Sequence, residues 1–245
     1  MKAMIFAAGL GTRLRPITDS MPKALVPVGG IPMLQRVIMN LKNAGCSHII
    51  VNVHHFPDMI IDFLDSHKNF GIEIAVSDER HKLLDTGGGI VKAASWLDGN
   101  EPFIVHNADI LTDLNLRKLY DAHCNSRSDA TLLVSSRKTS RYLLFDNDMK
   151  MNGWINDSTG EVKPTGTNAT DFEKYAFNGI HVLSPSALHE LTSFRKEGEA
   201  FSIMDFYIDA CRHLNFNGFL PDAQYSWFDI GKPASLTAAE THLTT

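Results

Sequence analysis

Short apolar runs alternate with amphipathic stretches through the first 135 residues of the chain. The apolar runs are uninterrupted, as in parallel strands buried on both faces, and the stretches between them repeat apolar residues three and four positions apart, as helices do. Leu34, Val37, Ile38 and Leu41, for example, share one helical face, and Gly45 marks the end of that helix. The pattern predicts strands at residues 3–8, 48–53, 72–76, 103–106 and 130–135. It predicts helices at residues 32–44, 58–67, 89–97 and 114–124.

This alternation predicts an α/β fold, with a Rossmann-like, mixed but mostly parallel sheet flanked by helices. In such sheets, ligands bind beyond the carboxyl ends of the strands. A glycine-rich loop follows the first predicted strand, and Asn107, Ala108 and Asp109 follow a later one. We therefore expect these two distant segments to lie side by side at one edge of the sheet.

The pattern changes after residue 140. Short strand-like pieces at residues 143–145, 149–151 and 154–155 are separated by polar turns, one of them at Asn152 and Gly153, which predicts hairpins. Residues 156–174 are polar and predict a mobile loop. We expect a single domain over residues 1–245 with a small β-rich insertion at about 140–180. The remaining predicted elements are a strand at residues 175–182 and helices at 185–191, 203–214 and 233–243.

Composition and charge exclude several classes of protein. The net charge is −5 and no basic stripe is present, which argues against binding to nucleic acid. No apolar run approaches the length of a membrane span, and the run at residues 3–8 is too short for the core of a signal peptide. The three cysteines are far apart in the sequence and odd in number, which indicates reduced thiols and not a disulfide framework. We therefore expect a cytoplasmic protein that does not act at a membrane.

The loop after the first predicted strand carries residues suited to binding phosphate. Gly9 and Gly11 allow backbone N–H groups to approach phosphate oxygens, and Arg13 and Lys23 add positive charge. Leu14 occupies the place of the third glycine of a dinucleotide-binding loop, and no Gly-Lys-Ser/Thr sequence follows, so neither a Rossmann fingerprint nor a Walker A loop is matched. The segment is a candidate phosphate-binding loop, with a glycine-rich turn beside surface cations as the alternative.

A candidate metal-binding residue follows the predicted strand at 103–106. An aspartate at the carboxyl end of a parallel strand, such as Asp109, can hold Mg²⁺ through one oxygen while water and phosphates complete the octahedron. On the pattern alone, an Asx turn explains Asn-x-Asp in a loop more often than a metal site does.

The chain resembles the sugar-1-phosphate nucleotidyltransferases, whose signature is matched by Gly9-x-Gly11-Thr12-Arg13-Leu14-x-Pro16-x-Thr18, by Pro22-Lys23 and by Pro27-Val28. The resemblance extends from residue 2 to about 240 and implies a GT-A-like fold. It implies no C-terminal left-handed β-helix of the kind found in bifunctional relatives. The implied activity is Mg²⁺-dependent transfer of a nucleotidyl group from a nucleoside triphosphate to a sugar 1-phosphate, with release of pyrophosphate.

The resemblance also implies roles for individual residues. Asp109 and Asp229 would hold the metal, although Asp229 also fits a cap of the final helix, and Ala108 stands where the family has glycine. Arg13 and Lys23 would be catalytic. The implied nucleotide-binding residues are Ala8, Gly9, Gly11, Thr12, Arg13, Lys23, Gly88 and Asn107. The implied sugar-binding residues are Asp85, Asn178 and Gly179, of which Asn178 also fits a turn at the end of a strand.

Two further segments are similar to those of one sub-group of the family, the bacterial N-acetylmuramate 1-phosphate uridylyltransferases. These are Leu84-Asp85-Thr86-Gly87-Gly88-Gly89 and Asn178-Gly179-Ile180. The similarity implies UTP and N-acetylmuramate 1-phosphate as substrates, in recycling of cell-wall sugars. The alternatives are guanylyl transfer to mannose or heptose 1-phosphate, thymidylyl transfer to glucose 1-phosphate, and a non-catalytic sensor of nucleotide sugars. The sequence leaves open the sugar, the base and whether the protein is a monomer or a small homo-oligomer.

Overall fold

The computed structural model describes residues 1–244, in which strands and helices alternate as the first half of the sequence predicts. The strands are β1 (Lys2–Phe6), β2 (Pro27–Val28), β3 (Ile31–Pro32), β4 (His48–Val53), β5 (Glu73–Asp78), β6 (Phe103–Asn107), β7 (Ile110–Thr112), β8 (Ala130–Ser135), β9 (Arg141–Phe145), β10 (Met151–Asn156), β11 (Glu161–Lys163), β12 (Glu173–Leu183), β13 (Phe216–Phe219) and β14 (Trp227–Asp229). The helices are α1 (Met33–Asn43), α2 (Pro57–Ser66), α3 (Asp85–Leu97), α4 (Leu116–Asn125), α5 (Pro185–Phe194), α6 (Ile203–Ala210) and α7 (Pro233–Thr244).

Ten strands form the main sheet. β1 lies between β4 and β6, and these strands, together with β5 beyond β4, run parallel. The long strand β12 runs antiparallel to β6 and also pairs with β8 and β9, so it joins the parallel part to the β-rich region. β9, β10 and β11 continue the sheet at that end. The predicted mixed, Rossmann-like sheet is confirmed.

Helices cover both faces of this sheet. Neighbouring residues of β1 show the division, since Ile5 packs in one apolar cluster and Met4 in the other. The helices α1, α2 and α4 pack on the Ile5 side, whereas α3, α5 and α6 pack on the Met4 side. Each fully buried Leu or Ile of these clusters stabilises the fold by roughly 1.5–3 kcal/mol. No helix within residues 1–244 is long and apolar enough to cross a bilayer.

The β-rich region differs from its prediction in how the strands connect. The predicted turn at Asn152 and Gly153 is wrong, because β10 runs through it with only a shift of register against β9. A Cβ on Gly153 would lie 2.5 Å from the carbonyl oxygen of Lys163, so this glycine permits two strands to approach closely. The prediction of a loop throughout residues 156–174 is also wrong, since the segment contains β11. Three residues at a sheet edge are too few to produce a pattern without their partner strand.

Several boundaries also differ. The helix predicted at 89–97 begins at Asp85, because glycines lower helix propensity and hide its first turn in the sequence. The helix predicted at 203–214 ends at Ala210, and the chain then turns into β13, which pairs with β8. The short strands β7 and β14 were not predicted, because each depends on pairing with a segment more than one hundred residues away.

Candidate active site

A cavity of about 630 Å³ opens at the carboxyl ends of β1 and β6, where the topology predicts a ligand. The glycine-rich loop after β1 and the Asn107–Asp109 segment after β6 both line it, so the two segments meet as expected. The predicted site residues that line the cavity are Ala8, Gly9, Gly11, Thr12, Arg13, Lys23, Asp85, Asn107 and Asp109. The predicted site residues outside its lining are Gly88, Asn178, Gly179 and Asp229.

The glycine-rich loop combines one glycine that the fold requires with one that it does not. Gly11 has a φ of +65°, and a Cβ there would lie 2.8 Å from Cγ2 of Thr18. The hydroxyl of Thr18 donates a hydrogen bond of 2.8 Å to the Gly11 carbonyl and so fixes the turn. A Cβ on Gly9, in contrast, would meet no atom of the described residues within 4 Å, although Gly9 lines the cavity. Gly9 therefore leaves space in which a phosphate could approach the backbone.

Lys23 connects the two aspartates that the sequence proposes as metal ligands. Its ammonium group donates a hydrogen bond to Oδ2 of Asp109 and lies 4.0 Å from Oδ1 of Asp229. The backbone brings the two carboxylates together, because β14 pairs with β7 so that Asp229 lies opposite Ile110. The N–H of Ile230 also donates a hydrogen bond of 2.8 Å to the carbonyl of Asp109. Residues 120 positions apart in the chain thus meet at one end of the cavity.

The carboxylate of Asp229 is incompletely satisfied. Its Oδ1 atom is buried and has no hydrogen-bond partner within residues 1–244. Burial, and then the negative charge of Asp109, raise the pKa of Asp229, whereas the charges of Lys23 and Arg13 oppose the rise. A Cβ on Gly231 would lie 2.7 Å from Nη2 of Arg13 and 2.7 Å from Oδ1 of Asp229, so any other residue there would displace one of these side chains.

The two aspartates could not enclose a cation by themselves. Among residues 1–244, no group of three or more His, Cys, Asp or Glu side chains is arranged to hold a metal. A cation at Asp109 and Asp229 would therefore take its remaining ligands from water or from a bound substrate.

Two buried residues that the sequence analysis missed, Asn52 and Glu79, connect the loop after β1 to the start of α3. Oδ1 of Asn52 accepts hydrogen bonds from the N–H groups of Ala7 (2.8 Å) and Ala8 (3.3 Å), and its Nδ2 donates to Oε1 of Glu79 (2.8 Å). The other oxygen of Glu79 accepts from the N–H of Leu84 (3.0 Å), directly before α3. Burial raises the pKa of Glu79, and these hydrogen bonds oppose the rise. The sequence did contain a signal for Asn52, because it interrupts the apolar run at residues 49–53 of β4.

The second glycine-rich segment, residues 87–89, packs against residues 199–201. Asp85 lines the cavity at the start of α3, but Gly88 does not. A Cβ on Gly88 would lie 2.3 Å from the carbonyl oxygen of Glu199, and the N–H of Gly87 donates a hydrogen bond of 2.9 Å to the carbonyl of Phe201. The structure gives Gly88 a packing role where the sequence predicts a contact with nucleotide.

Asn178, which the sequence proposes as a sugar-binding residue, is buried, and both ends of its amide are occupied. Its Oδ1 accepts a hydrogen bond of 2.9 Å from Nε of Arg137, and its Nδ2 donates one of 3.0 Å to the hydroxyl of Tyr225. Gly179 has a φ of +75°, and a Cβ there would lie 2.7 Å from Nδ2 of Asn107. Asn178 therefore positions its neighbours, whereas Gly179 lets β12 approach the cavity wall.

Comparison with known proteins shows which family the chain belongs to. The family model for nucleotidyl transferase matches residues 2–245. The N-acetylmuramate alpha-1-phosphate uridylyltransferase of Caulobacter vibrioides is 30% identical over 247 residues, which cover 98% of this chain and 96% of the relative. A mannose-1-phosphate guanyltransferase of Pichia angusta is also 30% identical, over 95% of this chain but 61% of its own length.

A solved structure shares the fold. The putative glucose-1-phosphate thymidylyltransferase from Bacillus anthracis superimposes with a TM-score of 0.80 at 21% identity, over 99% of this chain and 94% of that one. At this identity the likeness establishes the GT-A-like fold alone. Because the family model spans both glycine segments and both aspartates, and because a relative matches over almost its whole length, this chain belongs to the nucleotidyl transferase family and is a sugar-1-phosphate nucleotidyltransferase.

Proposed function

We propose that the protein transfers a uridylyl group from UTP to N-acetylmuramate 1-phosphate, with Mg²⁺ as cofactor. The observation that carries this proposal is the meeting of Lys23, Asp109 and Asp229 at the end of a cavity lined by the glycine-rich loop. The choice of substrates is supported by the Caulobacter vibrioides relative. The proposal places the reaction in the cytoplasm, in recycling of cell-wall sugars. The chain would act there as one domain, as a monomer or small homo-oligomer, without nucleic acid.

The reaction needs positioning and charge stabilisation more than covalent chemistry. A phosphate oxygen of the sugar 1-phosphate attacks the α-phosphorus of the triphosphate, a new P–O bond forms, and the bond to pyrophosphate breaks. Backbone N–H groups of Gly9, Gly11 and Thr12 hold the triphosphate. Arg13 stabilises the leaving pyrophosphate, and Lys23 stabilises charge at the α-phosphate. The protein forms no covalent bond to either substrate.

The residues present fit Mg²⁺. Asp109 and Asp229 offer hard oxygen ligands, and the buried, unpartnered Oδ1 of Asp229 has lone pairs available to a cation. When bound there, Mg²⁺ neutralises negative charge on the phosphate groups. Lys23 lies between the two carboxylates and reduces their mutual repulsion before substrate binds.

A second candidate is guanylyl transfer to mannose 1-phosphate. It is supported by the Pichia angusta relative, whose identity to this chain equals that of the uridylyltransferase. Thymidylyl transfer to glucose 1-phosphate is supported only by likeness of fold. The sensor alternative is disfavoured, since a sensor would not need both aspartates and both cations of the site.

The test is pyrophosphate release with Mg²⁺, measured for UTP, dTTP, GTP, CTP and ATP against several sugar 1-phosphates, including those of N-acetylmuramate, mannose and glucose. We expect the highest kcat/KM for UTP with N-acetylmuramate 1-phosphate. A maximum at another pair would replace the substrates and keep the enzyme class. No turnover with any pair, while nucleotide binding remains detectable, would favour the sensor.

A further inference from the structure

Arg137 is held rigidly beside the aspartate site. It follows β8, and its Nε donates a hydrogen bond of 2.9 Å to Oδ1 of Asn178. Its Nη2 donates one of 2.8 Å to the carbonyl of Phe177, and its guanidinium lies 4.5 Å from the centroid of the Trp227 ring. Two hydrogen bonds and a stacked ring leave this side chain little freedom, so its position is set before any substrate binds.

Arg137 forms no ion pair within residues 1–244. No carboxylate there lies within 4.0 Å of its guanidinium, and the protein groups that accept its hydrogen bonds are neutral. The hydrogens on Nη1 have no acceptor in the same residues. Burial lowers the pKa of Arg137, and the charge of Asp229 opposes this. A partly buried guanidinium without an ion pair is available to bind an anion.

The position of Arg137 assigns it to the aspartate side of the site. Trp227, which it stacks on, and Asp229 are two residues apart in β14, so their side chains project from the same face of that strand. The cations Arg13 and Lys23 line the same cavity as the glycine-rich loop. Arg137 lies outside the lining of that cavity. Arg137 is therefore placed for a ligand on the other side of the aspartates from the triphosphate.

The chain around Arg137 is locally basic. Residues 136–141 contain Arg137, Lys138 and Arg141 and no acidic residue, in a protein whose net charge is −5. Lys138 and Arg141 are exposed. A cationic segment on this side of an acidic protein favours a ligand with more than one negative charge.

We propose that Arg137 is a specificity-determining residue that binds a carboxylate carried by the sugar substrate in addition to its phosphate. The inference rests on the proposed function for the identity of the sugar, since N-acetylmuramate has a lactyl ether carboxylate that N-acetylglucosamine lacks. A guanidinium held in one plane matches the two oxygens of a carboxylate. The sugar phosphate, in contrast, must lie at the reacting centre, near Lys23 and the two aspartates.

The test compares sugar 1-phosphates with and without a carboxylate. One pair is N-acetylmuramate and N-acetylglucosamine 1-phosphate, and a second pair is glucuronate and glucose 1-phosphate. Wild type, Arg137→Gln, Arg137→Lys and a control are assayed by pyrophosphate release. The control is Lys118→Gln, which removes an exposed charge on α4. KM for the nucleotide and the unfolding temperature are measured for each variant, to detect any general disturbance of the site.

For the carboxylate-bearing sugar we expect Arg137→Gln to raise KM about 10- to 100-fold, with Arg137→Lys intermediate and Lys118→Gln close to wild type. KM for the neutral partner and for the nucleotide should change less than about threefold. Equal losses on both members of a pair, or no loss on either, would overturn the proposal. So would a wild-type enzyme that prefers the neutral sugar in both pairs. A preference for glucuronate over N-acetylmuramate would support Arg137 while correcting the proposed sugar.

Discussion

The chain contains two glycine-rich segments, residues 9–11 and 87–89, and their glycines have different structural roles. In the first, a Cβ on Gly9 would point into open space that belongs to the cavity. In the second, a Cβ on Gly87 would lie 2.3 Å from the ring of Phe201, and one on Gly88 equally close to a backbone carbonyl. Gly9 in the first segment leaves room for a ligand, whereas Gly87 and Gly88 in the second let α3 pack against the segment before α6. The same signal in a sequence thus has two physical causes.

The two segments are nevertheless connected. Asn52 binds the backbone at the start of the first, and Glu79 binds the N–H of Leu84 at the start of the second. The hydrogen bond between Asn52 and Glu79 completes the connection. Variants can therefore separate effects on activity from effects on folding, or change both at once.

The largest effect is expected at the end of the cavity, where only activity should change. Asp109→Asn should lower kcat by about 10³-fold, because it weakens both the proposed metal site and the contact with Lys23. The unfolding temperature should stay near that of wild type, and Asp62→Asn, at an exposed position of α2, is the control. Near-normal turnover of Asp109→Asn would refute the metal assignment.

The second glycine run should give the opposite result. Gly88→Ala should destabilise the fold by about 1–3 kcal/mol, because its Cβ would overlap the carbonyl of Glu199. Ser95→Ala, on the exposed face of the same helix, controls for the helix propensity of alanine. Thermal unfolding measures the loss, while KM for UTP should remain close to that of wild type. A stable Gly88→Ala with a raised KM would restore Gly88 to the nucleotide site.

Asn52→Ala should affect both segments. It leaves buried N–H groups of Ala7 and Ala8 and one oxygen of Glu79 without partners, which should cost about 1–3 kcal/mol of stability. KM for UTP should rise as well, because the start of the glycine-rich loop, which we propose binds phosphate, loses its support. Denaturant unfolding and steady-state kinetics check the two effects, with Asn125→Ala at an exposed position as the control. If Asn52→Ala changed the stability but not KM for UTP, or the reverse, the proposed connection between the two segments would fail.

Gly9→Ala should give a smaller effect, on binding alone. A methyl group there meets open space in the protein, so the unfolding temperature should be unchanged. It should raise KM for UTP by about tenfold, by obstructing the approach of phosphate to the backbone. If Gly9→Ala destabilised the protein but bound UTP normally, the contrast between the two glycine segments would fail.

The smallest expected effect is the dependence of the protein's stability on pH between pH 7 and pH 6. Burial lowers the pKa of His106 and His123 to about 4 and of His181 to about 3. These side chains stay neutral in the fold but take up protons in the unfolded chain below about pH 6.5, so stability should fall as the pH drops from 6.5 towards 4. Neither glycine segment contains a histidine, so urea unfolding should find the same difference between Gly88→Ala and wild type at pH 7 and pH 6. A difference that changed with pH would show that Gly88 is coupled to these histidines.

The sequence by itself determined the fold class and the position of the glycine-rich loop that lines the cavity. Strands buried on both faces need uninterrupted apolar residues, and helices on a sheet need an apolar face, so both leave a local pattern. The topology then required the glycine-rich loop and Asp109 to meet at one edge of the sheet. Local spacing was sufficient because each of these features depends on residues close together in the chain.

The tertiary structure alone decided which of the remaining candidates touch the cavity. Gly88 has a packing role because Glu199 lies against it. The side-chain amide of Asn178 already has hydrogen-bond partners in Arg137 and Tyr225. The partners in both cases are about 40 or more residues away, and no short-range pattern encodes such contacts. Asp229 reaches Asp109 only through the pairing of β14 with β7. Burial and charge at the site arise from these long-range contacts, so they exist only once the chain has folded.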